Sequence, residues 1–241
     1  MRALWQEFAD LVLPLDCAGC GSPRAPQGLC DGCEHSLHAP DSRPVSPSPR
    51  PPGLPPVHGR HDYRDPVRSV LLAHKERGAL RLASPLGEVL AGSVCSVTAR
   101  RRSAAGPTPP VVLVPVPSAP VSVARRGHDP ARRIASSAAR VLRRRGRPAR
   151  AVPALRQRRL VRDQSGLEAA ERQANLSGAL EVVPGGIQLL TQGEVVIVDD
   201  LMTTGASLAE SARAVTAEGG VVHGAAVVAS RDRGNAPWHG S

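Results

Sequence analysis

Residues 195–207 constrain the fold of this chain more than any other stretch. Four consecutive β-branched aliphatic residues, Val195 to Val198, precede Asp199 and Asp200, and a short polar loop follows. An aliphatic run without polar alternation predicts a parallel strand that is covered on both faces. Residues 208–218 are compatible with a helix, which a pair of glycines would end. Because ligands of open α/β sheets bind beyond the carboxyl ends of the strands, we expect a ligand site at this loop.

The loop after the predicted strand has the composition of an anion site. Its backbone amides would lie at a helix N-terminus, where the helix dipole also favours negative charge. Its hydroxyl groups add donors, and its glycine permits close approach of the backbone. The candidate phosphate-binding residues are Thr203, Thr204, Gly205, Ala206 and Ser207. Asp199 and Asp200 would face a neighbouring diol, so a sugar phosphate with two free hydroxyl groups suits both halves of the segment.

Residues 195–207 closely resemble the phosphoribosyl-pyrophosphate (PRPP) motif of type I phosphoribosyltransferases. That motif has four aliphatic residues, two aspartates, two aliphatic residues and then Thr-Thr-Gly-x-Thr/Ser, and every position is filled here. The resemblance implies that the acids hold the ribose hydroxyls and that the loop holds the 5′-phosphate, with Mg²⁺ accompanying PRPP. The alternative is a generic strand of a Rossmann-like protein that ends in acids. A Walker A loop is excluded, since no Gly-Lys-Ser/Thr follows a glycine-rich turn.

Four cysteines near the N-terminus form two Cys-x-x-Cys pairs, Cys17 with Cys20 and Cys30 with Cys33. Two such pairs match a tetrahedral zinc site, and four ligands would close it, which predicts a structural role. Two disulfides are the competing use, but nothing in the sequence suggests export, and cytosolic thiols stay reduced. Cys95 lies in an apolar helical pattern and is predicted to be a small buried hydrophobic residue.

Composition divides the chain into three parts. Residues 1–38 hold a short amphipathic helix and the cysteine pairs, and residues 39–56 are so rich in proline that we predict an extended tether without packed structure. Residues 57–241 form the large domain. Strands are predicted at 111–117, 195–198 and 221–229, and helices at 80–95, 131–145, 167–175 and 208–218. This alternation predicts an α/β fold with a doubly wound, mostly parallel sheet.

The chain is strongly basic, with a net charge of +10, and Lys75 is the only lysine among 31 basic residues. This charge favours polyanionic partners such as nucleic acid or a pyrophosphate substrate, although the coding bias of a GC-rich genome explains arginine equally well. No apolar run approaches the roughly 20 residues that span a bilayer. Acidic residues interrupt the apolar N-terminus, so we predict a cytoplasmic protein with no membrane span and no signal peptide.

The order of motifs along nearly the whole chain resembles the ComF family of predicted phosphoribosyltransferases, which is associated with DNA uptake in competent bacteria. Each motif is short, but their order is specific. After the cysteine pairs come Tyr63, Pro66-Val67-Arg68, Lys75-Glu76-Arg77-Gly78, Val114-Pro115-Val116-Pro117, Arg125-Arg126-Gly127, Gln164, Arg172, Asn175-Leu176-Ser177-Gly178 and the paired aspartates.

The resemblance implies roles for several of these residues. The segment 114–117 would be the pyrophosphate loop, in which the backbone amides around Pro115, Val116 and Pro117 bind the diphosphate with Mg²⁺. Lys75 and Arg77 would add cationic contacts. Arg125 and Arg126 would belong to a mobile loop that closes over the substrate. The alternative for each cation is a solvated surface residue, and Gln164, Arg172 and Asn175 have the alternative of polar structural contacts. The residues expected to act in catalysis are Asp199, Asp200, Lys75 and Arg126.

One segment departs from the family pattern. The family commonly has Arg-Gly-Phe-Asn where this chain has Arg126-Gly127-His128-Asp129. The loss of the aromatic residue argues against base stacking by this loop. His128 would substitute by stacking or proton transfer, or it would be an ordinary loop histidine.

Two classes of function follow. The first is an enzyme that transfers a phosphoribosyl group from PRPP to an unidentified nitrogenous base, with positioning and electrostatics supplying most of the rate. The second is a PRPP- or nucleotide-sensing accessory protein whose basic surface and cysteine module bind single-stranded DNA or a competence helicase. No aromatic platform accompanies the arginine clusters, and no segment identifies the acceptor. Fold alone does not decide between the two.

Overall fold

The structure is a computed structural model of the chain, and it describes residues 16–25, 27–99, 109–158 and 177–231. The predicted helix at 167–175 and the amphipathic segment before residue 16 lie outside these ranges. The described helices are α1 (Asp31–His38), α2 (Val67–Glu76), α3 (Ala83–Ala99), α4 (Pro120–Arg126), α5 (Pro130–Arg144), α6 (Gly186–Leu190) and α7 (Ala206–Ala217). A 3-10 turn at Leu80–Leu82 precedes α3.

The described strands form two sheets. They are β1 (Arg43–Val45), β2 (Val57–Asp62), β3 (Val111–Pro115), β4 (Ala149–Ala151), β5 (Leu155–Gln157), β6 (Leu180–Val182), β7 (Glu194–Met202) and β8 (Val222–Ser230). The main sheet has the order β1-β2-β8-β7-β3-β4, and β5 pairs with β6 in a small separate sheet. Only β1 runs antiparallel in the main sheet. The protein is therefore an α/β protein with a mostly parallel six-stranded sheet.

Helices cover both faces of this sheet, as its apolar strands predict. Val196 and Val198 face a core that includes residues of α1, α2, α3 and α5. Val195 and Ile197 face a second core that includes residues of α6, α7 and β6. Buried strands without polar alternation are what two covered faces require. The doubly wound arrangement follows from this alternation of faces.

The proline-rich segment 39–56 is not the tether that its composition predicted. Residues Arg43–Val45 form β1, which pairs antiparallel with β2 at the edge of the sheet. Val45, Pro47 and Leu54 are buried. Prolines suit this place, because an edge strand has one side whose amides need no partner. The sequence pattern of proline alone did not reveal that the segment packs.

The cysteine segment also packs on the domain rather than standing apart. Cys17, Cys33 and Leu37 belong to the same core as the sheet residues Val196 and Val198. At the end of α1, three backbone carbonyl groups accept hydrogen bonds from β2. The donors are Arg60 Nε to Pro40 (2.6 Å), Arg60 NH2 to His38 (2.8 Å) and His61 Nε2 to Leu37 (2.8 Å). These bonds join the module to the main sheet.

Among the described residues, one helical stretch, Leu80–Ala99, is long and apolar enough to cross a membrane, with a mean hydropathy of 1.3. Length and composition alone are weak evidence, because core helices pass the same test. Here Leu86, Leu90 and Val94 are buried in the core. Gly87 allows the close crossing with α5, since a Cβ there would lie 2.5 Å from the Cβ of Ser137. Core packing accounts for the apolar character of this helix.

Candidate functional site

The sheet reverses its winding between β3 and β7, and a switch point of this kind is expected to form a crevice. β3 and β7 are neighbours, with Pro115 opposite Val198 near their carboxyl ends. From β3 the chain continues through α4 and α5 to β4, whereas from β7 it continues through α7 to β8 on the other side. Such a switch point is where open α/β sheets bind ligands. The predicted acid pair lies at this edge.

Asp199 and Asp200 lie within β7 rather than after it, because β7 continues to Met202 in register with β8. Successive side chains of a strand point to opposite faces. Asp200 is buried, whereas Asp199 is partly exposed. The backbone N–H of Asp200 donates to Asp199 Oδ1 at 2.8 Å. The two carboxylates are therefore adjacent in sequence but occupy different environments.

Lys75 lies in the last turn of α2 and contacts the acid pair. Its Nζ is 3.1 Å from Asp200 Oδ2. The Asp200 carboxylate raises the pKa of Lys75 against the opposing effect of burial, and Asp199 adds to the rise. The only lysine of the chain is thus held in its charged form. The structure brings together three residues that the sequence analysis singled out.

The two carboxyl groups differ in pKa. Burial and the neighbouring charge of Asp200 raise the pKa of Asp199 well above its usual range. Burial pushes the pKa of Asp200 upward too, but the Lys75 ammonium and a hydrogen bond with Asp199 outweigh it and lower the pKa. Asp200 is therefore the ionised partner of Lys75, and Asp199 is the carboxyl group that takes up a proton more readily.

The predicted anion loop connects β7 directly to α7. Gly205 has φ of +74°, and α7 begins at Ala206, two residues earlier than predicted. The Ala206 N–H lies 3.5 Å from Thr204 Oγ1. Among the described residues, the amides of Thr203, Thr204 and Ser207 have no hydrogen-bond acceptor. Together with the dipole of a twelve-residue helix, these donors form a site for an anion.

The segment after β3 does not provide the amide donors expected of a pyrophosphate loop. Pro115 and Pro117 have no N–H. The N–H of Val116 donates to the carbonyl of Val198 at 2.9 Å, and that of Ser118 donates to Asp129 Oδ2 at 3.2 Å. The expectation that backbone amides of this segment bind a diphosphate is therefore wrong for this conformation. Anion contacts on this side of the crevice would come from side chains or from the amides at the start of α4.

Arg125 and Arg126 lie in the last turn of α4, a helix that the sequence analysis did not predict. Arg126 binds Glu76 with two hydrogen bonds, Nε to Oε2 at 2.9 Å and NH2 to Oε1 at 2.5 Å. Arg125 NH2 is 3.4 Å from Glu76 Oε2. No role was predicted for Glu76 from the sequence. The sequence feature that could have indicated one is its position directly after Lys75.

His128 is a buried residue that connects α4 to α2. Its ring nitrogens lie 3.1 Å from the carbonyl oxygens of Arg126 and His74. At least one of the nitrogens donates, so the ring joins the ends of the two helices. Its ring centroid is 5.6 Å from that of His74. A neutral ring donates to one of these carbonyl oxygens, and this bond together with the burial of the ring gives His128 a structural role.

Other predicted residues are not brought to the crevice. Arg77 is exposed just beyond α2, and no ion pair joins it to another described residue. Gln164, Arg172 and Asn175 lie outside the described residues. Cys95 is partly buried on α3 and packs against the core.

The four N-terminal cysteines are positioned to bind a metal ion. The sulfur atoms of Cys17, Cys20, Cys30 and Cys33 all lie within 4.8 Å of one another. Tetrahedral coordination with bonds of about 2.3 Å requires sulfur atoms about 3.8 Å apart, so the donor set fits zinc. Gly19 is required here, because a Cβ would lie 2.8 Å from Cys33 Sγ.

The thiols of the cluster differ in acidity. Hydrogen bonds from the hydroxyl and backbone of Ser22 lower the pKa of Cys20 to about 6. Burial opposes ionisation of Cys17, but backbone hydrogen bonds outweigh it and lower the pKa. Burial, followed by the neighbouring thiols, raises the pKa of Cys33. A bound cation would favour the thiolate at every position.

The chain was compared with known proteins. Neither the models of known protein families nor the curated proteins include a match to it. The function is therefore argued from the site itself.

Proposed function

We propose that this protein binds PRPP–Mg²⁺ at the crevice between β3 and β7 and transfers its phosphoribosyl group to a nitrogenous acceptor. The observation that carries the proposal is the adjacency of Asp199 and Asp200 to the amides at the start of α7, at the switch point of the sheet. The pattern of residues 195–207 and its resemblance to the type I phosphoribosyltransferase motif support the same assignment.

The 5′-phosphate of PRPP would bind at residues 203–207. The amides of Thr203, Thr204 and Ser207 have no acceptor among the described residues, and the hydroxyl groups of the same residues add donors. Gly205, with φ of +74°, turns the chain from the loop into the first turn of α7. A phosphate monoester with two negative charges suits the N-terminus of α7 better than a neutral group does.

The ribose hydroxyls would bind the acid pair. Asp199 is the more accessible of the two carboxyl groups, so it is the first to accept from a hydroxyl group. Asp200 is held by Lys75 and fixes the orientation of Asp199 through its own backbone N–H. The raised pKa of Asp199 reflects its partial removal from water and the neighbouring charge of Asp200, which the more distant charge of Lys75 does not offset. Hydrogen bonds from two ribose hydroxyls, with Mg²⁺ arriving on the substrate, would compensate for this.

Catalysis would depend on charge and position. The bond from the ribose C1 to the pyrophosphate oxygen breaks, and a bond from C1 to the acceptor nitrogen forms, which releases pyrophosphate and a proton. Cationic groups beside the crevice stabilise the negative charge that develops on the leaving group. The carboxylates of Asp199 and Asp200 stabilise the positive charge that develops on the sugar. Lys75 pairs with Asp200 and offsets part of its negative charge, which limits how strongly Asp200 stabilises the sugar.

The proposal is tested by calorimetric titration of PRPP–Mg²⁺ into the protein and into the variant Asp199→Asn/Asp200→Asn. We expect binding to the native chain and none to the variant. Pyrophosphate release in the presence of a panel of nucleobases would then identify the acceptor, with Asp200→Asn as the inactive control. Failure of the native, metal-loaded chain to bind PRPP–Mg²⁺ contradicts the proposal.

We infer that the metal of the cysteine cluster is zinc and that its role is structural. Four thiolate donors from two tight turns leave no open position for a substrate. The test is metal analysis of the purified protein, for which we expect one zinc ion per chain. Absence of bound zinc, or an unchanged zinc content in Cys30→Ser, contradicts the inference.

A second function, binding of single-stranded DNA in DNA uptake, is favoured by one surface. Six exposed arginines lie along α5 and just after it, and α5 contains no acidic residue. They are Arg132, Arg133, Arg140, Arg143, Arg144 and Arg145. Such a surface would bind phosphates with strong salt dependence. Binding that survives Asp199→Asn/Asp200→Asn but is lost in Arg140→Gln/Arg144→Gln/Arg145→Gln would support this function, and salt-independent binding would contradict it.

A further inference from the structure

Arg125, Arg126 and Glu76 form a compact ion-paired cluster beside the crevice. Arg126 binds both carboxylate oxygens of Glu76, and its side chain is only 12% exposed. Arg125 is 69% exposed and contacts the same carboxylate at 3.4 Å. Paired guanidinium groups around one carboxylate have the donor geometry that binds phosphate oxygens equally well. The carboxylate of Glu76 therefore occupies a position that suits an anion.

The cluster is next to the acid pair in space. Glu76 follows Lys75 directly at the end of α2, and Lys75 contacts Asp200. His128 joins the carbonyl of Arg126 to that of His74, so the ends of α4 and α2 are held together. The last turn of α2 thus contacts β7 through one residue and α4 through the next. An anion bound beside the last turn of α2 would therefore lie near both Lys75 and the two arginines.

The backbone on this side of the crevice offers few other donors. Pro115 and Pro117 lack an N–H, and the amides of Val116 and Ser118 are already used. A diphosphate bound here would find its donors on side chains and on the amides at the start of α4. Of the described cations near the end of α2, Lys75 is held by Asp200, Arg125 and Arg126 are held by Glu76, and Arg77 has no ion pair with another described residue.

We propose that Glu76 is an internal competitor for the diphosphate end of the substrate. It pairs with Arg125 and Arg126 in the ligand-free protein and offsets part of their charge, and the diphosphate displaces it. This inference rests on the proposed function, and it specifies how access to the same site is regulated. Glu76 is 38% exposed, and exposed ion pairs contribute little stability, so exchange is feasible. The diphosphate carries more charge than one carboxylate and accepts both arginine forks.

The experiment uses inorganic pyrophosphate as the probe, titrated calorimetrically at fixed pH and ionic strength. We expect Glu76→Gln to bind pyrophosphate about threefold to tenfold more tightly than the native chain, since the competing charge is gone. Glu218→Gln is the matched control, because it removes an equal charge from an exposed residue beyond α7. Its affinity should equal that of the native chain. Equal tightening in both variants would show a general charge effect and overturn the proposal.

A second pair of variants tests the guanidinium fork. Arg126→Lys keeps the charge but loses the two parallel hydrogen bonds, so pyrophosphate binding should weaken. Arg156→Lys on β5 is the control, because Arg156 is also ion-paired with a glutamate, Glu181, and it should change nothing. In the Arg126→Lys background, Glu76→Gln should lose most of its tightening effect. Full tightening in that background would overturn the proposal, because Glu76 would then act without Arg126.

Failure of this inference is distinguishable from failure of the proposed function. PRPP–Mg²⁺ binding that depends on the acid pair, with pyrophosphate affinity unchanged in Glu76→Gln, overturns the competitor role alone. Tightened pyrophosphate binding in Glu76→Gln, without PRPP binding in any variant, supports the anion site and overturns the proposed function. Thermal unfolding of each variant checks that its fold is intact. Absence of pyrophosphate binding in both the native chain and Glu76→Gln overturns the inference.

Discussion

At the scale of single residues, the two adjacent aspartates show how environment separates chemically identical groups. Asp200 has a cation at 3.1 Å, whereas Asp199 has the charge of Asp200 as its neighbour. Asp200 is stabilised as a carboxylate, and Asp199 is not. The folded protein therefore disfavours the ionised form of Asp199. A residue that serves binding is expected to cost stability in this way.

Replacing Asp199 with asparagine is expected to stabilise the protein while abolishing PRPP binding. Because the folded-state pKa of Asp199 is raised, the unfolded chain releases this proton first, and stability falls as the pH rises from the unfolded-state pKa to the folded-state pKa. Asp199→Asn should therefore have a higher Tm than the native chain near neutral pH. Thermal unfolding between pH 4 and pH 8 measures it.

The pH dependence provides the control for this variant. Below the unfolded-state pKa of about 3.9, both states are protonated, so the native chain and Asp199→Asn should be equally stable. The difference should grow as the pH rises from the unfolded-state pKa to the folded-state pKa and stay constant above it. Asp200→Asn should behave oppositely and lower Tm, because Lys75 then loses its partner. A destabilised Asp199→Asn would contradict this description of the acid pair.

The buried histidines His61 and His74 predict acid sensitivity. Burial lowers the pKa of both, against opposing hydrogen bonds. The unfolded chain therefore takes up protons first, and the free energy of unfolding should fall as the pH drops below about 6.5. Urea unfolding at pH 5.5 and pH 7.5 measures the loss. We expect His61→Gln to show a smaller loss, and an equal loss in this variant would exclude His61 as a source.

At the scale of elements, the start of α7 depends on the proline-rich segment packed beneath it. Gly205 has φ of +74°, and a Cβ there would lie 3.1 Å from a methyl carbon of Leu54 and 3.2 Å from Pro47 Cγ. The segment that composition predicted to be a tether thus supports the anion loop. Both the backbone conformation and the close approach require glycine.

Gly205→Ala should destabilise the protein and weaken PRPP binding together. The cost should be about 1–3 kcal/mol, from the left-handed conformation and the contact with Leu54. Gly219→Ala is the matched control, since Gly219 has φ of +81° with nothing within 4 Å of the added Cβ. It should cost less and leave binding unchanged. Chemical unfolding and calorimetry measure both, and equal effects would exclude the contact as a cause.

The long buried elements follow from sequence pattern, and the short ones do not. The apolar runs of β3, β7 and β8 predicted their strands to within a few residues. The three-residue strands β1, β4, β5 and β6 carry no such run, because few of their residues face a core. The helix α4 has seven residues and buries none of them completely, so it has no apolar periodicity to detect.

At the scale of the whole molecule, the cysteine module and the sheet share one core. Cys17 and Cys33 pack in the same cluster as the residues of α3 and β7. Arg60 and His61 bind carbonyl groups at the end of α1. Loss of a metal ion from the four cysteines should therefore destabilise the large domain as well as the cysteine module.

Cys30→Ser is expected to lower the stability of the entire protein. Losing one of four thiolate ligands weakens metal binding, and the binding free energy contributes to folding. We expect a single cooperative thermal transition that is shifted down by several degrees, roughly 2–4 °C per kcal/mol lost. Cys95→Ser is the control, because Cys95 is outside the cluster. Two separate transitions would contradict the shared core.

The sequence by itself determined the parts of this protein that depend on local pattern. Apolar runs predicted the doubly wound sheet, Cys-x-x-Cys spacing predicted the metal-binding cluster, and the stretch ending in Thr-Thr-Gly predicted an anion loop beside two acids. The sheet and the cysteine cluster are confirmed because strand burial and tight turns are decided by neighbours in the chain, whereas the anion loop stays a prediction.

Only the tertiary structure decided which charges meet. Lys75 pairs with Asp200, and Glu76 pairs with Arg126, fifty residues further along the chain. The fold also placed the amide of Val116 on the carbonyl of Val198 and brought Leu54 against Gly205. No local pattern encodes these contacts, because they depend on how separate helices and strands pack. The pairing of Lys75, Arg125 and Arg126 with carboxylates of the same chain therefore follows from that packing alone.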